Sequence, residues 1–480
     1  MKKLIIIICL SFLTVLNAQS DFDAWKNAQD EQFVSFKSKE DKAFYEFLKK
    51  NWSEFEAIDG LAEETEPKIP EAPVVEKIEP IKVEKDTPAK PVTFQVEAVE
   101  NKENIFFAID KSLPVIEIDY FGMMMDYNYQ SSLDVDLSKM NQDAIADFWL
   151  KASNSPYEKL LEQLKTQREK MNLNDWGYCL LVDKISNKVA QGDDKFNQLF
   201  SWFMLLKSGY DCKIGYNEDN VYILLPSLNK LYGISYVEIE SLRYYAVSFQ
   251  KQKPLEMAIS TYEGSYPDAD DLIDMSMNSN PRITSAIVEK ELKFLYNGEE
   301  YTIPVKYDAN AAEFFRNYPQ TDLDVYFEAP LSDMALSSLS EGFAPILSER
   351  SEAEAANVLL RFVQTAFKYE TDDEQFGREK SFFADEVLFY PACDCEDRSI
   401  LYSYLVRRIL NLDVIGLDYP GHVATAVKLN SEMDGDYVVY KENKFIISDP
   451  TYINANVGTS MPQFKQIKPK IIELSNNWSK

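Results

Sequence analysis

The sequence has 480 residues, a formal net charge of −29 at pH 7 and a pI near 4.5. This acidic balance argues against nucleic-acid binding and against tight adhesion to anionic lipid. The chain is longer than a single core usually serves, so we expect two or three domains.

Residues 1–20 have the pattern of a secretory signal peptide. Lys2 and Lys3 precede an apolar run from Leu4 to Leu16, and Ala18 lies in a zone of small residues suited to cleavage. The run is too short to span a bilayer comfortably, and no later stretch is long and apolar enough to do so. We therefore expect an exported protein, periplasmic or secreted, with no transmembrane segment after the signal peptide.

Residues 21–60 form the next segment, in which positions 21–58 are predicted to be one long amphipathic helix. Its aromatic residues recur every eleven positions, at Phe22, Phe33, Phe44 and Phe55. Eleven residues are close to three helical turns, so these side chains share one face. That face packs on the chain's own body or mediates self-association, or alternatively it docks on a partner in the cell envelope.

Three segments follow the helix. Residues 61–93, rich in Pro, Glu and Lys, are predicted to be an extended and largely disordered linker. Residues 94–250 are predicted to be a first globular unit, with strands near 94–99 and 115–120 and helices over 143–170 (broken near 154–156), 176–188 and 195–207. Residues 251–345 are predicted to be a connecting, mostly β segment, with a hairpin turn at Asn297-Gly298 and a further strand at Leu323–Phe327.

Short matching words indicate an internal repeat between the first unit and residues 346–480. Residues 199–203 align with 401–405, Gly215 with Gly416, and 236–237 with 437–438, an offset of about 201 to 202 residues in this later part. The first copy would then be a degenerate relative of the second. The alternative is that two ordinary α+β stretches align by chance.

Residues 346–480 begin with a capping-box pattern at Ser351 and Glu354, which predicts a helix start, and they contain the candidate catalytic residues. His422 is the only histidine in the sequence, and imidazole is the side chain whose unperturbed pKa lies near neutrality. Cys395 precedes a stretch, 399–411, predicted to be a helix, where the free amides and the helix dipole favour a thiolate. Asp449 is followed by Pro-Thr and would hold the imidazole in one tautomer.

This set resembles the Cys-His-Asp triad of the transglutaminase-like superfamily. In that family the Cys starts a helix in a Gly-x-Cys-x-Asp pattern, the His follows on a strand, and the Asp ends the next strand in an Asp-Pro-Thr-like turn. Cys395 with Asp397, His422 and Asp449 match in order and context, whereas Cys393 stands where the family usually has Gly. The resemblance is specific only over about residues 350–455.

The resemblance implies an α+β chain with a transglutaminase-like, papain-like catalytic core at 346–480, preceded by a degenerate copy at 94–250. It also implies an exported cysteine acyl-transfer enzyme acting on a protein or peptide of the cell envelope. Cys395 would attack an amide carbonyl, His422 would move the proton and Asp449 would orient His422. Water would resolve the acyl-thioester, as in an amidase or peptidase, although an amine could do so in a cross-linking enzyme.

Two alternatives to this enzyme remain from the sequence. The first is a non-catalytic envelope protein that uses the same fold as a binding or scaffold module. The second is redox chemistry between Cys393 and Cys395, and a Cys179–Cys212 disulfide is a separate option in an oxidising compartment. We expect no cofactor and no metal, because one histidine and a single Cys-x-Cys lack zinc-ligand spacing and no glycine-rich phosphate loop occurs.

Overall fold

The fold is a mixed α+β structure, with 35% helix and 27% strand. The computed structural model describes residues 38–62, 69, 71–76, 78, 81, 83–85, 87–95, 107–129, 133–218, 220–249 and 258–475. The predicted signal peptide and the first part of the predicted amphipathic helix lie outside these ranges. In the described ranges, no helix combines the length and apolar character needed to cross a membrane.

The described part of the first helix, α1, covers residues 38–48. Its Phe44 and Leu48 are buried, and the Phe44 ring lies edge-on to Trp149, with 4.7 Å between the ring centroids. The chain's own body therefore covers this part of the apolar face. The predicted continuation of the helix to residue 58 is wrong, because the chain turns into strand β1 (Trp52–Phe55), which joins a sheet.

The described residues of the predicted linker lie against the C-terminal part of the chain. Strand β2 (Val83–Lys85) pairs antiparallel with Glu432–Met433, and the backbone N–H of Val92 donates to the carbonyl of Ile409 at 2.8 Å. The prediction of a largely disordered linker is wrong at these positions. The backbone is extended, as expected, but its polar groups find partners on the folded body.

The first unit contains the elements between residues 115 and 262. The predicted strand at 115–120 and the predicted helices are confirmed, and so is the predicted break near Ser155. The elements are β3 (Val115–Tyr120), β4 (Met123–Asn128), α2 (Gln142–Ser153), α3 (Glu158–Lys170), α4 (Asp175–Ala190), α5 (Asp194–Ser208), β5 (Lys213–Tyr216), β6 (Val221–Pro226), β7 (Tyr236–Ile239), β8 (Leu242–Val247) and β9 (Ile259–Tyr262). The predicted strand near 94–99 is not seen at its described residues, 94 and 95.

The connecting segment is only half β. Strands β10 (Ile287–Tyr296) and β11 (Glu299–Asp308) form the predicted hairpin, with Asn297 and Gly298 at positive φ in the turn. Helices then follow as α6 (Ala309–Arg316), α7 (Leu323–Glu328) and α8 (Asp333–Leu347). The predicted strand at Leu323–Phe327 is therefore wrong. Its apolar residues are buried in helical form, so tertiary packing overrides their strand propensity.

The second unit begins with α9 (Glu352–Ala366), whose Ser351 and Glu354 form the predicted capping box. The remaining elements are β12 (Lys368–Tyr369), α10 (Asp372–Phe376), α11 (Ala384–Phe389), β13 (Ala392–Cys393), α12 (Cys395–Leu405), a π-helical turn (Val406–Leu410), β14 (Asp413–Tyr419), β15 (His422–Lys428), β16 (Glu432–Met433), β17 (Tyr437–Tyr440), β18 (Asn443–Ser448), a 3₁₀ turn (Pro462–Phe464) and β19 (Lys470–Glu473).

The two units share one sheet topology. Five antiparallel strands of the second unit run in the order β17-β18-β15-β14-β19, and the first unit has the corresponding order β7-β8-β6-β5-β9, with β1 added beside β9. Strands β7 and β8 begin 201 residues before β17 and β18, as the bounds above show. The turns between them match as well, because Glu240 and Ser241 have positive φ and so do Lys441 and Glu442.

Candidate active site

Cys395 is the first residue of α12, and Asp394 is its N-cap. The backbone amides in the first turn of a helix have no acceptor within the helix, and the helix dipole is positive there. The Cys395 side chain is 1% exposed. Its thiol donates to Oε2 of Glu396 at 3.1 Å, so in this conformation the S–H points to a carboxylate rather than to an imidazole.

His422 and Asp449 meet directly. The Nε2 atom of His422 lies 2.8 Å from Oδ2 of Asp449, and both side chains are buried. The other oxygen of Asp449 accepts the backbone N–H groups of Thr451 and Tyr452, at 2.9 and 3.3 Å. The Asp-Pro-Thr turn therefore fixes the carboxylate, and the carboxylate in turn orients the ring.

The second ring nitrogen of His422, Nδ1, is buried and accepts and donates no hydrogen bond among the described residues. The ring stacks on Phe464, with 4.9 Å between centroids, and it lies parallel to Tyr419 at 6.4 Å. These contacts restrict rotation of the ring, so Nδ1 stays directed away from Asp449.

Two hydroxyl groups join the elements that carry the triad. Ser399, one helical turn after Cys395, donates from Oγ to the carbonyl of Val423 at 2.9 Å. Thr425, on the same strand as His422, donates from Oγ1 to the carbonyl of Ser448 at 2.5 Å. The cysteine helix is thereby bonded to the histidine strand, and the histidine strand to the residue before the aspartate.

Gln364 on α9 holds the turn that contains Asp449. Its amide nitrogen donates to the carbonyls of Asp449, Tyr452 and Ala455, at 3.1, 2.8 and 3.1 Å. This one side chain thus bonds three carbonyl groups of the segment that follows β18. Gln364 is therefore a positioning residue for the aspartate.

Buried carboxyl groups surround the start of α12. Oxygen atoms of Asp372, Asp394 and Asp397 lie within 4.8 Å of one another. Burial, together with the charges of Asp372 and Glu396, raises the pKa of Asp397 well above its ordinary value. The raised pKa favours the protonated form of Asp397, which reduces the repulsion between it and its charged neighbours. The arrangement alone does not establish a metal centre.

Cys393 is chemically unlike Cys395. Burial raises the pKa of the Cys393 thiol to about 11, so it stays protonated at neutral pH. Its strand, β13, pairs with β12 and contributes no side chain to the cleft described next. The four described cysteines, which include Cys179 and Cys212, are free thiols. Among the described residues there is thus no disulfide between Cys179 and Cys212 and no bond between Cys393 and Cys395.

Cys395 and His422 line the same cleft, which has a volume of about 440 Å³. The first unit contributes Lys230 and Tyr232 to its wall, and the connecting segment contributes residues 321–324. These parts are bonded together, since Thr321 donates from Oγ1 to the carbonyl of Lys230 at 2.8 Å. The cleft therefore lies between the two units.

The structure brings the three predicted residues together only in part. His422 and Asp449 are hydrogen-bonded, and Cys395 lines the same cleft as His422 without a hydrogen bond to its Nδ1 atom. Sequence reasoning missed the contributions of Gln364 and Lys230, because both lie far from the triad along the chain. Ser399 could have been found, since it follows Cys395 by one helical turn and is a small polar residue in an apolar helix.

Comparisons of the chain with protein-family models, with curated proteins and with solved structures give no match. The interpretation of the site therefore depends on its own geometry.

Proposed function

We propose that this chain is an exported cysteine acyl-transfer enzyme with a transglutaminase-like core, which hydrolyses an amide or peptide bond. The observation that carries the proposal is the buried pair of His422 and Asp449, 2.8 Å apart, whose histidine lines one cleft together with the helix-terminal Cys395. A tautomer-fixing carboxylate on one ring nitrogen and a second nitrogen without a partner are what a general base requires.

The chemistry can be written for these three side chains. The Cys395 thiol transfers its proton to Nδ1 of His422, and the sulfur attacks the amide carbonyl. Collapse of the tetrahedral intermediate breaks the C–N bond, and the imidazolium gives its proton to the leaving amine. Water then attacks the thioester, with His422 as base, and releases the carboxylic acid and the thiol. The amide of Cys395 is one natural donor to the oxyanion.

One movement is required before this reaction. The Cys395 thiol must turn from Glu396 toward His422, because it now donates to the carboxylate. Rotation about the Cα–Cβ bond between staggered conformers moves the sulfur away from Glu396 and leaves the backbone in place. Binding of substrate in the cleft and protonation of Glu396 would both favour that conformer.

The first unit fits the role of a degenerate copy. It has the same strand order, and its helix α5 starts at Asp194, 201 residues before Cys395, just as α12 starts at Cys395. At this offset His422 corresponds to Val221 and Asp449 to Ser248. Asp194, Val221 and Ser248 include neither a cysteine nor a histidine, and no carboxylate stands at the position of Asp449. The first unit therefore cannot repeat the triad and serves binding or support.

Alkylation by iodoacetamide tests the proposal. We expect Cys395 to react at least about tenfold faster in the wild-type chain than in His422→Gln, because loss of the base removes its effect on the thiolate. Mass spectrometry of the labelled peptides assigns the site. Cys393→Ala serves as the matched control, since it removes the neighbouring thiol two residues away, and thermal melting checks that each variant folds.

Equal alkylation rates in the wild type and in His422→Gln would contradict the enzyme. They would instead favour a non-catalytic binding protein of the cell envelope. The specific observation on that side is the contact between the Cys395 thiol and Glu396, in which a buried cysteine acts as a hydrogen-bond donor rather than as a nucleophile.

A further inference from the structure

The sheet of the first unit has one strand more than the sheet of the second unit. Strand β1 pairs antiparallel with β9, from Trp52 opposite Tyr262 to Phe55 opposite Ile259. In the second unit β19 takes the place of β9. Among the described strands, β14 alone pairs with β19, so no described strand occupies the outer edge of β19.

Side-chain packing supports the equivalence of these two edges. A Cβ atom on Gly215 of β5 would lie 2.7 Å from the side chain of Ile259 on β9. A Cβ atom on Gly416 of β14 would lie 2.9 Å from that of Ile472 on β19. Each glycine thus makes room for an isoleucine on the strand that adjoins it. At both edges a glycine faces an isoleucine of the adjoining strand, through the Cδ1 atom of Ile259 in one unit and the Cβ atom of Ile472 in the other.

The β14–β15 hairpin fixes the direction of the backbone groups. Tyr419 and His422 face each other across a two-residue loop, and residues in that position exchange both backbone hydrogen bonds. The backbone groups of alternate residues point to alternate sides of a strand. Asp418 and Gly416 lie one and three residues before Tyr419, so they direct their N–H and C=O groups to the other side of β14, toward β19.

The partners of these two residues identify the open positions on β19. Gly416 lies opposite Ile472, and Asp418 lies opposite Lys470, so these residues of β19 use their backbone groups in the sheet. Ile471 and Glu473 have the opposite parity. Their backbone N–H and C=O groups point away from β14, toward the open edge.

The next residue of the same parity supports this assignment. The backbone N–H of Ser475 donates to the Glu328 carboxylate on α7, and the carbonyl of Ser475 accepts from the Arg407 guanidinium. At residue 475 the outward-facing backbone N–H and C=O groups are therefore bonded by side chains of other elements. Ile471 and Glu473 lie in the wall of the cleft that contains Cys395 and His422.

We propose that the cleft binds its substrate as an extended polypeptide segment that adds to β19 as a further antiparallel or parallel strand. This inference rests on the proposed function and names its substrate class, a peptide chain without secondary structure of its own. Backbone groups of Ile471 and Glu473 bond to the peptide, as in other cases of strand addition. The four residues of β19 span about 13 Å, at about 3.3 Å a residue.

The chain itself provides a precedent for this occupant. Strand β1 occupies the corresponding edge of the first unit. It is an extended segment of four residues, of which the two end residues are half-buried and the two central ones are exposed. In the first unit the edge is closed by the chain's own segment. In the second unit the edge is left for a segment of another polypeptide.

Peptide capture by an inactive variant tests the inference. The full chain carrying Cys395→Ala is immobilised and exposed to a tryptic digest of denatured casein, and retained peptides are quantified by mass spectrometry. The second protein adds Glu473→Pro, which deletes an outward N–H and is tolerated only at an edge. The third adds Glu473→Ala, which removes the same carboxylate and keeps the N–H.

We expect the amount of peptide retained by the proline variant to be at least about fivefold lower than that retained by the alanine variant. The reason is that a backbone hydrogen bond is lost and an added strand is obstructed. Equal retention by the two variants, or no retention above bare resin by the parent, overturns the inference. Thermal melting shows whether both variants fold. Capture requires no acyl transfer, so its outcome is independent of whether Cys395 is reactive.

Discussion

The first and second units have one topology and different chemistry. Both have a helix that leads into five antiparallel strands in the same order. The corresponding positions at an offset of 201 are Asp194 and Cys395, Val221 and His422, and Ser248 and Asp449. The comparison teaches that this sheet forms with and without the Cys-His-Asp set, so the proposed catalytic difference between the units depends on three side chains and not on topology.

The two units also differ in what covers their edges. Strand β1 closes the β9 edge, and the aromatic residues of α1 pack beneath it, whereas no described strand pairs with the outer edge of β19. Under the proposed function, the edge of the first unit can be closed by a permanent segment, because no substrate must enter there. Changes that alter one unit and spare the other therefore test this account.

The largest expected difference is between Asp449→Asn and Ser248→Ala. We expect Asp449→Asn to lower kcat/KM about 10²- to 10⁴-fold, because the amide does not stabilise the imidazolium and favours the wrong tautomer. Ser248→Ala, at the corresponding position of the first unit, should leave turnover of a peptide amide unchanged. Steady-state rates of both variants make the comparison, and similar losses in both would remove the distinction between the units.

Each unit has a buried carboxyl group with a raised pKa, and the two groups should make stability depend on pH over different ranges. Burial raises the pKa of Asp385 to about 7 in the second unit and that of Asp183 to about 6 in the first, from an ordinary value of 3.8. The folded state therefore keeps a proton that the unfolded chain releases. The stabilisation is complete below pH 3.8 and is lost as the pH rises through the folded-state pKa.

Replacement by Asn should flatten this dependence. Each extra proton contributes a slope of about 1.4 kcal/mol per pH unit in the free energy of unfolding. Asp385→Asn should reduce the fall in stability up to about pH 7, and Asp183→Asn only up to about pH 6. Urea unfolding at half-unit pH intervals measures both slopes, and unchanged slopes in the variants would contradict the protonated state of these groups.

The smallest difference concerns the two glycines beside the edge strands. Gly215→Ala and Gly416→Ala should each destabilise the fold by about 1–3 kcal/mol through overpacking. The neighbour of Gly215 is Cδ1 of Ile259, a terminal atom that Ile259→Val removes. The neighbour of Gly416 is Cβ of Ile472, which valine retains.

Rescue should therefore differ between the units. The double variant Gly215→Ala with Ile259→Val should recover part of the lost stability, and Gly416→Ala with Ile472→Val should not. Thermal or urea unfolding of the single and double variants measures the coupling. Rescue in both units, or in neither, would mean that the two edges are not packed as the structure describes.

Much of the fold could be predicted from local patterns. The capping box at Ser351 and the turn at Asn297-Gly298 use short-range chemistry, so both were found. The helix that was expected to reach residue 58 ends early because Trp52–Phe55 finds a partner more than 200 residues away. Leu323–Phe327 has strand-like composition, yet burial against its neighbours makes it helical.

The site could be predicted in its residues but not in its contacts. The single histidine and the Asp-Pro-Thr turn pointed to His422 and Asp449, which do meet. The bond from Cys395 to Glu396 depends on a side-chain conformer, and the contribution of Lys230 depends on how two distant segments pack. Neither has a signal in a single sequence.

The most direct test of the central claim is the mass of the Cys395 peptide after rapid acid quenching of a reaction with peptide amides. The account predicts an acyl adduct on Cys395 that hydroxylamine removes, and no adduct in His422→Gln. Intact, unmodified Cys395 in every sample, while the amide substrate is consumed or while it persists, would contradict the proposed acyl transfer.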